Sequence, residues 1–304
     1  MVMEKIQILL STYNGEQYLR EQLDSLLYQS YPEISILIRD DGSVDNTISI
    51  LEEYSYKDSR IKWYKGNNIG VWKSFFDLME NADTKADYYA FCDQDDYWLK
   101  EKIEKGIQYL KRYSQNNIEP ILYCSNTINT DKVLKKMPNN QFYYNFRPAF
   151  GNAIIQNIAR GCTCIFNRVA LNLAIIQKPQ YMIMHDWWLY LVCSCFGKVC
   201  FDNNAYILYR QHESNVIGTK DSVIKKWMYR FVNLKNYEGR NYLQIKEFRK
   251  IYSVSYDNTI LIDSFLSTEN NVWKRVLFIS NKKIYRQNKV DDFLYRILVF
   301  IGLA

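Results

Sequence analysis

The chain has 304 residues, 48% of them hydrophobic and 24% charged, with a net charge of +6. Those values exclude a disordered chain, and 11 Gly with 5 Pro exclude collagen-like or linker-rich ones. Seven Cys without a CxxC pair and only two His argue against zinc, and no apolar run approaches the roughly 18 residues of a membrane span.

The thiols therefore read as reduced and mostly buried, as in a cytosolic protein. Met1 to Leu10 lacks the ordering of a signal peptide. The basic surplus lies in the tail: residues 220–304 hold 16 Lys/Arg and 8 Asp/Glu, residues 1–219 hold 23 and 25. A nucleic-acid-binding protein should show a basic stripe, which the first 219 residues lack.

In chain order, Ile6 to Ser11 is a short apolar run that predicts a first strand. Tyr18 to Gln29 has helical spacing, with Leu19, Leu23, Leu26 and Leu27 on one side. Ile34 to Ile38 predicts a second strand, and Asp45 can cap a helix over Asn46 to Tyr54. Ile61 to Tyr64 and Tyr88 to Cys92 predict further strands; Val71 to Met79 and Lys100 to Tyr113 predict helices. This alternation implies a mostly parallel sheet covered on both faces, with right-handed crossovers. Beyond it the pattern is less regular, with strands expected at Ile121 to Cys124, Cys164 to Phe166 and Tyr206 to Tyr209. Asp186 to Phe196 reads as a buried helix, and from Asp221 the chain reads helical and basic.

Ligands of open α/β sheets bind beyond the carboxyl ends of the strands. Here those ends are Ser11-Thr12-Tyr13-Asn14-Gly15, Arg39-Asp40-Asp41-Gly42-Ser43 and Asp93-Gln94-Asp95-Asp96. Converging carboxylates repel one another unless a cation offsets them, and Mg²⁺ or Mn²⁺ suits such oxygens. Asp93-Gln94-Asp95 is a DxD motif that can bridge a metal to a diphosphate; alone, it is also an ordinary solvated turn. Asp40 suits the N3–H of a pyrimidine, and Tyr13 can stack on the base. Asp41 and Asp45 read better as turn and cap residues. Neither GxGxxG nor GxxxxGK[ST] is present, which disfavours dinucleotide oxidoreductases and P-loop NTPases. A sugar nucleotidyltransferase would want a glycine-rich loop near the N-terminus, also missing.

Met184-His185-Asp186-Trp187-Trp188 sets a charged pair before an apolar helix. Asp186 is either the N-cap of that helix or a general base shielded by indoles, with His185 orienting it or merely packing. In Tyr209-Arg210-Gln211-His212, Arg210 or His212 can contact phosphate, or His212 can complete a metal shell; a plain polar loop is the alternative. In Arg160-Gly161-Cys162-Thr163, Gly161 permits close approach of a substrate.

Together these segments resemble a family 2 inverting glycosyltransferase of the GT-A fold, from about Gln7 to about Gly218. The nucleotide-binding motifs, with Asn67-Asn68-Ile69-Gly70, match in order and spacing. Phe91 to Leu99, Arg160 to Thr163, His185 to Trp188 and Tyr209 to His212 with Asn215 resemble the rhamnosyltransferase-like branch.

The resemblance implies an α/β fold with a Rossmann-like, mostly parallel central sheet, flanking helices and a C-terminal helical extension. Residues 1–219 would form the GT-A domain, with a nucleotide-binding half of about 1–115 and an acceptor half of about 116–219. Residues 220–304 would form the basic helical region. It implies a nucleoside-diphosphate sugar, dTDP-L-rhamnose or a UDP-hexose, held by Thr12, Tyr13, Asn14, Asp40, Asp41, Asp93, Gln94, Asp95 and Arg210. Lys73 matches the diphosphate side loosely, and Ser74 stands where many relatives have Asn. Mg²⁺ or Mn²⁺ would sit on Asp95 and Asp93, with His212. Asp186 would be the catalytic base. Asp96, Trp98, Gly161, Cys162, Thr163, His185, Trp187 and Trp188 would face the acceptor, a glycan or lipid-linked glycan of a bacterial surface polysaccharide such as capsule. A non-catalytic sugar-nucleotide or glycan binder of the same fold is the alternative.

The tail pairs apolar Val272, Val276, Leu277, Ile284, Phe293, Leu294, Ile297 and Leu298 with Lys274, Arg275, Lys282, Lys283 and Arg286. Such a stretch suits an anionic membrane surface, and equally suits packing on the catalytic domain or a homodimer. The expected location is cytoplasmic, with peripheral attachment to the inner face of the plasma membrane as one option.

Overall fold

The computed structural model describes residues 3–113, 118–137, 145–211 and 239–303. Strands β1 (Ile6–Thr12), β2 (Ile34–Asp40), β3 (Ile61–Lys65) and β4 (Tyr88–Cys92) pair in parallel in the order β3-β2-β1-β4. The sheet continues through β7 (Ile165–Asn167), β6 (Ile121–Thr130), β8 (Lys198–Arg210) and β5 (Tyr97–Trp98) to a total of eight strands. β7 runs antiparallel to both β4 and β6, whereas β6 and β8 are parallel. The parallel half lies where the strand–helix alternation predicts it. β8 begins eight residues earlier than the sequence suggests, because Lys198–Asp202 pair with Ile121–Ser125 before a bulge.

Alternating side chains divide the interior. On one face Ile6, Ile8 and Leu10 of β1 meet α1 (Leu19–Leu27), α2 (Thr47–Lys57) and α4 (Lys102–Tyr113). On the other, Leu9 and Phe91 meet α3 (Val71–Glu80), α6 (Arg168–Ala174) and α7 (His185–Phe196). A single turn, α5 (Phe150–Ala153), packs against α7. Asp45 accepts from the N–H of Thr47 at 3.0 Å and so closes the turn into α2.

The C-terminal helices α8 (Arg240–Ile251), α9 (Tyr256–Leu266), α10 (Val272–Ser280) and α11 (Lys289–Ile301) extend the second core. Phe248 of α8 packs edge-on against Trp188 at 5.6 Å between centroids. Ser255, Asn271 and Asn288 cap the N-termini of α9, α10 and α11 with their side-chain oxygens. The expectation of packing on the catalytic domain is thus met by the inner faces of this region. Residues 221–238, also expected to be helical, lie outside the described residues.

Candidate active site

The register aligns the strand ends. Thr12 pairs with Asp40, and Leu10 with Cys92, so the Tyr13–Gly15, Asp41–Ser43 and Asp93–Asp96 turns share one sheet edge. Gln94 ties two of them together. Its Oε1 accepts from the N–H of Tyr13 at 2.8 Å, and its Nε2 donates to the Tyr13 carbonyl at 3.0 Å. Gly15 makes room for this bridge: a Cβ there would lie 2.3 Å from Gln94 Oε1. Asn14 adopts a positive φ of 46° and accepts from the Val44 N–H at 3.0 Å.

Asp40 faces its own turn. Its Oδ1 accepts from Thr12 Oγ1 and Ser43 Oγ, and its Oδ2 from the N–H groups of Gly42 and Ser43. Thr12 and Asp40 are buried, so a contact with a pyrimidine would have to break one of these bonds. Asp41 accepts from the N–H groups of Ile69 and Gly70, both at 3.0 Å, and pairs with buried Arg39. Arg39 also donates to Asp77, Ser74 and the Asn67 carbonyl. Both oxygens of Asp41, implied to contact the donor, anchor the Asn67–Gly70 turn, as the turn reading of that residue expects. Ser74, the departure from the family pattern, bonds Ser11 at 2.6 Å. Tyr13 is 46% exposed and remains open for stacking. Lys73 is exposed in the first turn of α3, its ammonium over Trp72.

At the end of β4 the carboxyls crowd. Burial, then the charges of Asp95 and Asp186, push Asp93 up to about 7. Burial, then the charges of Asp95 and Asp93, push Asp96 well above the carboxylate range. Arg160 opposes this. It is the cation that draws Asp93 down, its guanidinium lies over the Tyr209 ring at 4.4 Å, and it donates to Thr127 Oγ1. Nothing in the Arg160-Gly161-Cys162-Thr163 segment itself marks Arg160 as the cation beside the acidic turn; that placement comes from the fold.

One ligand atom each from Asp93, Asp96 and Cys162 lie within 4.8 Å of one another, and Asp96 Oδ2 is buried without a hydrogen-bond partner. Two crowded, buried carboxyl groups whose ionised forms need a positive charge beside them fit a hard divalent cation. The grouping shares Asp93 with the expected set; His212 lies outside the described residues.

Asp186 is the second residue of α7, whose N-cap is Met184, so the N-cap reading of Asp186 is corrected; the residue is 6% exposed. Its Oδ2 accepts from the Gly161 N–H at 2.9 Å and its Oδ1 from the Trp187 N–H at 2.7 Å. Burial, against these bonds, pushes it up to about 6. Gly161 opens a short 3₁₀ turn, Gly161–Thr163, beside β4.

Several residues implied to face the acceptor are buried. Trp188 is 0% exposed in the core against Phe248 and Tyr252. Trp98 is buried beneath the acidic turn with the Lys102 ammonium 3.3 Å above its ring. His185 stacks on Phe75 at 3.8 Å and meets Phe91 edge-on; burial lowers it to about 3, so it stays neutral, and neither nitrogen has a partner. Cys162, Thr163 and Asp96 are likewise buried. Half-buried Trp187 spends its indole N–H on the Ala153 carbonyl at 2.6 Å. Arg210 is buried and grips Glu21, the Lys132 carbonyl and the Asp95 carbonyl, which leaves its fork turned to protein and not to a donor phosphate.

Comparison with known proteins extends the picture. The profile of glycosyl transferase family 2 matches residues 7–173. The chain is 32% identical to the dTDP-rhamnosyl transferase RfbG of Shigella flexneri, over 96% of this chain and 99% of that one. It superimposes on S. aureus TarS 1-349 in complex with UDP-GlcNAc with a TM-score of 0.58 at 17% identity, covering 98% of this chain and 91% of that one. A mannosyltransferase from Pyrobaculum calidifontis, in complex with GDP-Man and Mn²⁺, gives 0.57 at 12% identity, covering 100% and 82%. The fold is the GT-A fold that the sequence motifs imply.

Proposed function

The chain belongs to glycosyl transferase family 2, and from that premise we propose that it moves L-rhamnose from dTDP-L-rhamnose to a hydroxyl of a bacterial surface polysaccharide under assembly. Similarity to a dTDP-rhamnosyl transferase along nearly the whole of both chains supports that sugar. A UDP-hexose is the competing donor, because the TarS structure of the same fold carries UDP-GlcNAc. The acceptor fits a lipid-linked glycan, such as a capsule precursor, met at the inner face of the plasma membrane.

The observation that carries the chemistry is Asp186, a buried carboxyl held by the N–H groups of Gly161 and Trp187, raised to about 6 by burial and close enough to push Asp93 up. A base of that strength is ionised at neutral pH yet holds a proton well during transfer. Asp186 takes the proton of the acceptor hydroxyl as its oxygen bonds the anomeric carbon. The carbon–oxygen bond to the diphosphate breaks, and its electron pair leaves with the phosphate. One displacement inverts the anomeric configuration. The N–H groups of Gly161 and Trp187 fix the carboxylate, and its 6% exposure limits water around it. Arg160 supplies positive charge beside Asp93. A Mg²⁺ or Mn²⁺ ion held by Asp93, with Asp96 from the observed grouping or Asp95 from the DxD motif, would offset the charge of the leaving diphosphate.

The test is a donor panel of dTDP-L-rhamnose, UDP-glucose, UDP-galactose, UDP-N-acetylglucosamine and GDP-mannose, with release of nucleoside diphosphate as readout. Release from dTDP-L-rhamnose that needs Mg²⁺ or Mn²⁺ and fails in Asp95→Ala is expected. Release from a UDP-sugar alone would replace the proposed donor, and neither release nor thermal stabilisation by any donor would overturn the reading.

A further inference from the structure

The C-terminal helices α10 and α11 pack on each other and leave a broad apolar face bare. On α11, Tyr295, Leu298 and Val299 are buried, while Phe293, Ile297 and Phe300 form a second stripe at spacings of four and three on the exposed side. On α10 only Phe278 is buried, and Val272, Trp273 and Leu277 point outward. Trp273 is 79% exposed and Phe293 63%. Monomeric proteins rarely leave apolar patches of more than a few hundred Å² to water, and large exposed side chains gathered on two packed helices point to a covering surface.

Charge decides what covers it. Residues 271–303 hold seven Lys/Arg and two Asp/Glu. Both acids are spent inside: Asp291 pairs with Arg286 and Asp292 with Arg296. Lys274, Lys282, Lys283 and Lys289 are exposed and carry no ion pair among the described residues. Two copies of such a face would bring their lysines together, whereas an anionic lipid surface would neutralise them. No helix among the described residues is long and apolar enough to cross a membrane, so contact would lie in the plane of the interface. Tryptophan and phenylalanine are suited to that depth.

We infer that the outer face of α10 and α11 docks on an anionic phospholipid surface. The link between the two helices makes this docking matter to the site. Arg286 donates to the Ile155 carbonyl, Asn152 to the Tyr285 carbonyl and the Gln287 N–H to Gln156, each at 2.8 Å. Gly151 lies so close that a Cβ there would sit 2.0 Å from the Lys283 carbonyl oxygen. The docking face is thus fixed to the segment that leads into Arg160 and Gly161, and lipid contact sets the orientation of the acceptor half. The inference deepens the reading of a lipid-borne acceptor, but its evidence is the surface alone.

The experiment is flotation of the full chain with vesicles of phosphatidylcholine, with or without phosphatidylglycerol. Binding is expected only with phosphatidylglycerol, and should weaken as salt rises. Trp273→Ser with Phe293→Ser should lower partitioning by at least about tenfold without loss of thermal stability, since both side chains are exposed. Each of Lys274→Gln and Lys289→Gln should cost about fivefold. No partitioning into phosphatidylglycerol vesicles, or equal partitioning by the aromatic variant, would overturn the inference. So would a wild-type dimer in light scattering that the aromatic variant dissolves. Nucleotide release from a soluble donor is read separately, so failure of either proposal leaves the other standing.

Discussion

Arg210 Nε donates to the backbone carbonyl of Asp95 across 2.8 Å, and the N–H of Arg210 donates to Oδ1 of Asp96 at 3.2 Å. A residue at the end of β8 thus sets the geometry of the acidic turn after β4. Its fork also grips Glu21 on α1, and the guanidinium lies 4.3 Å over the Tyr18 ring. Lysine keeps the charge but cannot make this set of directed bonds. Arg210→Lys should therefore weaken Mn²⁺ affinity by about 10–100-fold, the cost of losing a partner that orients ligands. Titration of Mn²⁺ by electron paramagnetic resonance reads this directly, and saturating Mn²⁺ should restore much of the nucleotide release. Unchanged Mn²⁺ affinity would reduce Arg210 to a strut of the fold.

Asp186 separates its two readings cleanly. As a general base it contributes about 10²–10⁴-fold to turnover. As a mere brace between α7 and the Gly161 turn it contributes roughly 1 kcal/mol of stability per hydrogen bond and nothing to chemistry. Asp186→Asn should drop turnover at least about 10²-fold while leaving donor affinity, measured calorimetrically, near that of the parent. Near-normal turnover would leave only the structural brace.

The pH dependence follows from the same carboxyl. Its value in the fold, about 6, lies above the ordinary 3.8. Turnover should rise with pH through about 6 and level off above it. Stability moves the other way. A raised acid favours the protonated fold, so its contribution is full below 3.8 and is lost as pH rises through 6. Asp186→Asn removes that loss, so the melting temperature of the variant relative to wild type should be higher at pH 8 than at pH 5. A pH-independent difference would mean that Asp186 does not titrate in this range.

Arg160 is the charge that offsets Asp93. Arg160→Gln should lower kcat/KM for the donor by about tenfold or more, the scale of one charge-assisted contact. Because the side chain is half-buried on Tyr209, Arg160→Lys should keep part of the activity. Equal activity in all three proteins would remove Arg160 from the site.

The parallel half of the fold was legible because its signals are local. Strands of five to seven residues alternate with amphipathic helices, as in β1 and α1. β5 was not legible: two residues, Tyr97 and Trp98, gain strand geometry only by pairing with Leu208 and Ile207 more than a hundred positions away. In the site, spacing located the acidic turn and Asp186 but not which side chains face outward. α7 is apolar around its whole circumference, so nothing in its sequence marks Trp188 as buried and Trp187 as half-buried. Burial of His185 between Phe75 and Phe91 requires α3 and β4 to be placed first. The inward turn of Asp40 likewise depends on Ser43 and Thr12 meeting across two strands.

Two glycines distinguish fold from site. At Gly197, which ends α7, a Cβ would lie 2.1 Å from the Pro120 carbonyl oxygen, part of a backbone that cannot swing away. Gly197→Ala should cost about 1–3 kcal/mol of stability or more, as overpacking does, with activity falling only as folded protein is lost. At Gly15 the obstacle is the far end of the Gln94 side chain, at 2.3 Å. That amide can rotate aside, so Gly15→Ala should cost less than about 1 kcal/mol. What it loses is the two-bond bridge to Tyr13, the link between the first and fourth strand ends. The donor KM should therefore rise several-fold while the melting temperature holds. Urea denaturation alongside donor titration of both variants tests the pairing; a Gly15→Ala protein with full donor affinity would show that the Gln94 bridge does not shape the donor site.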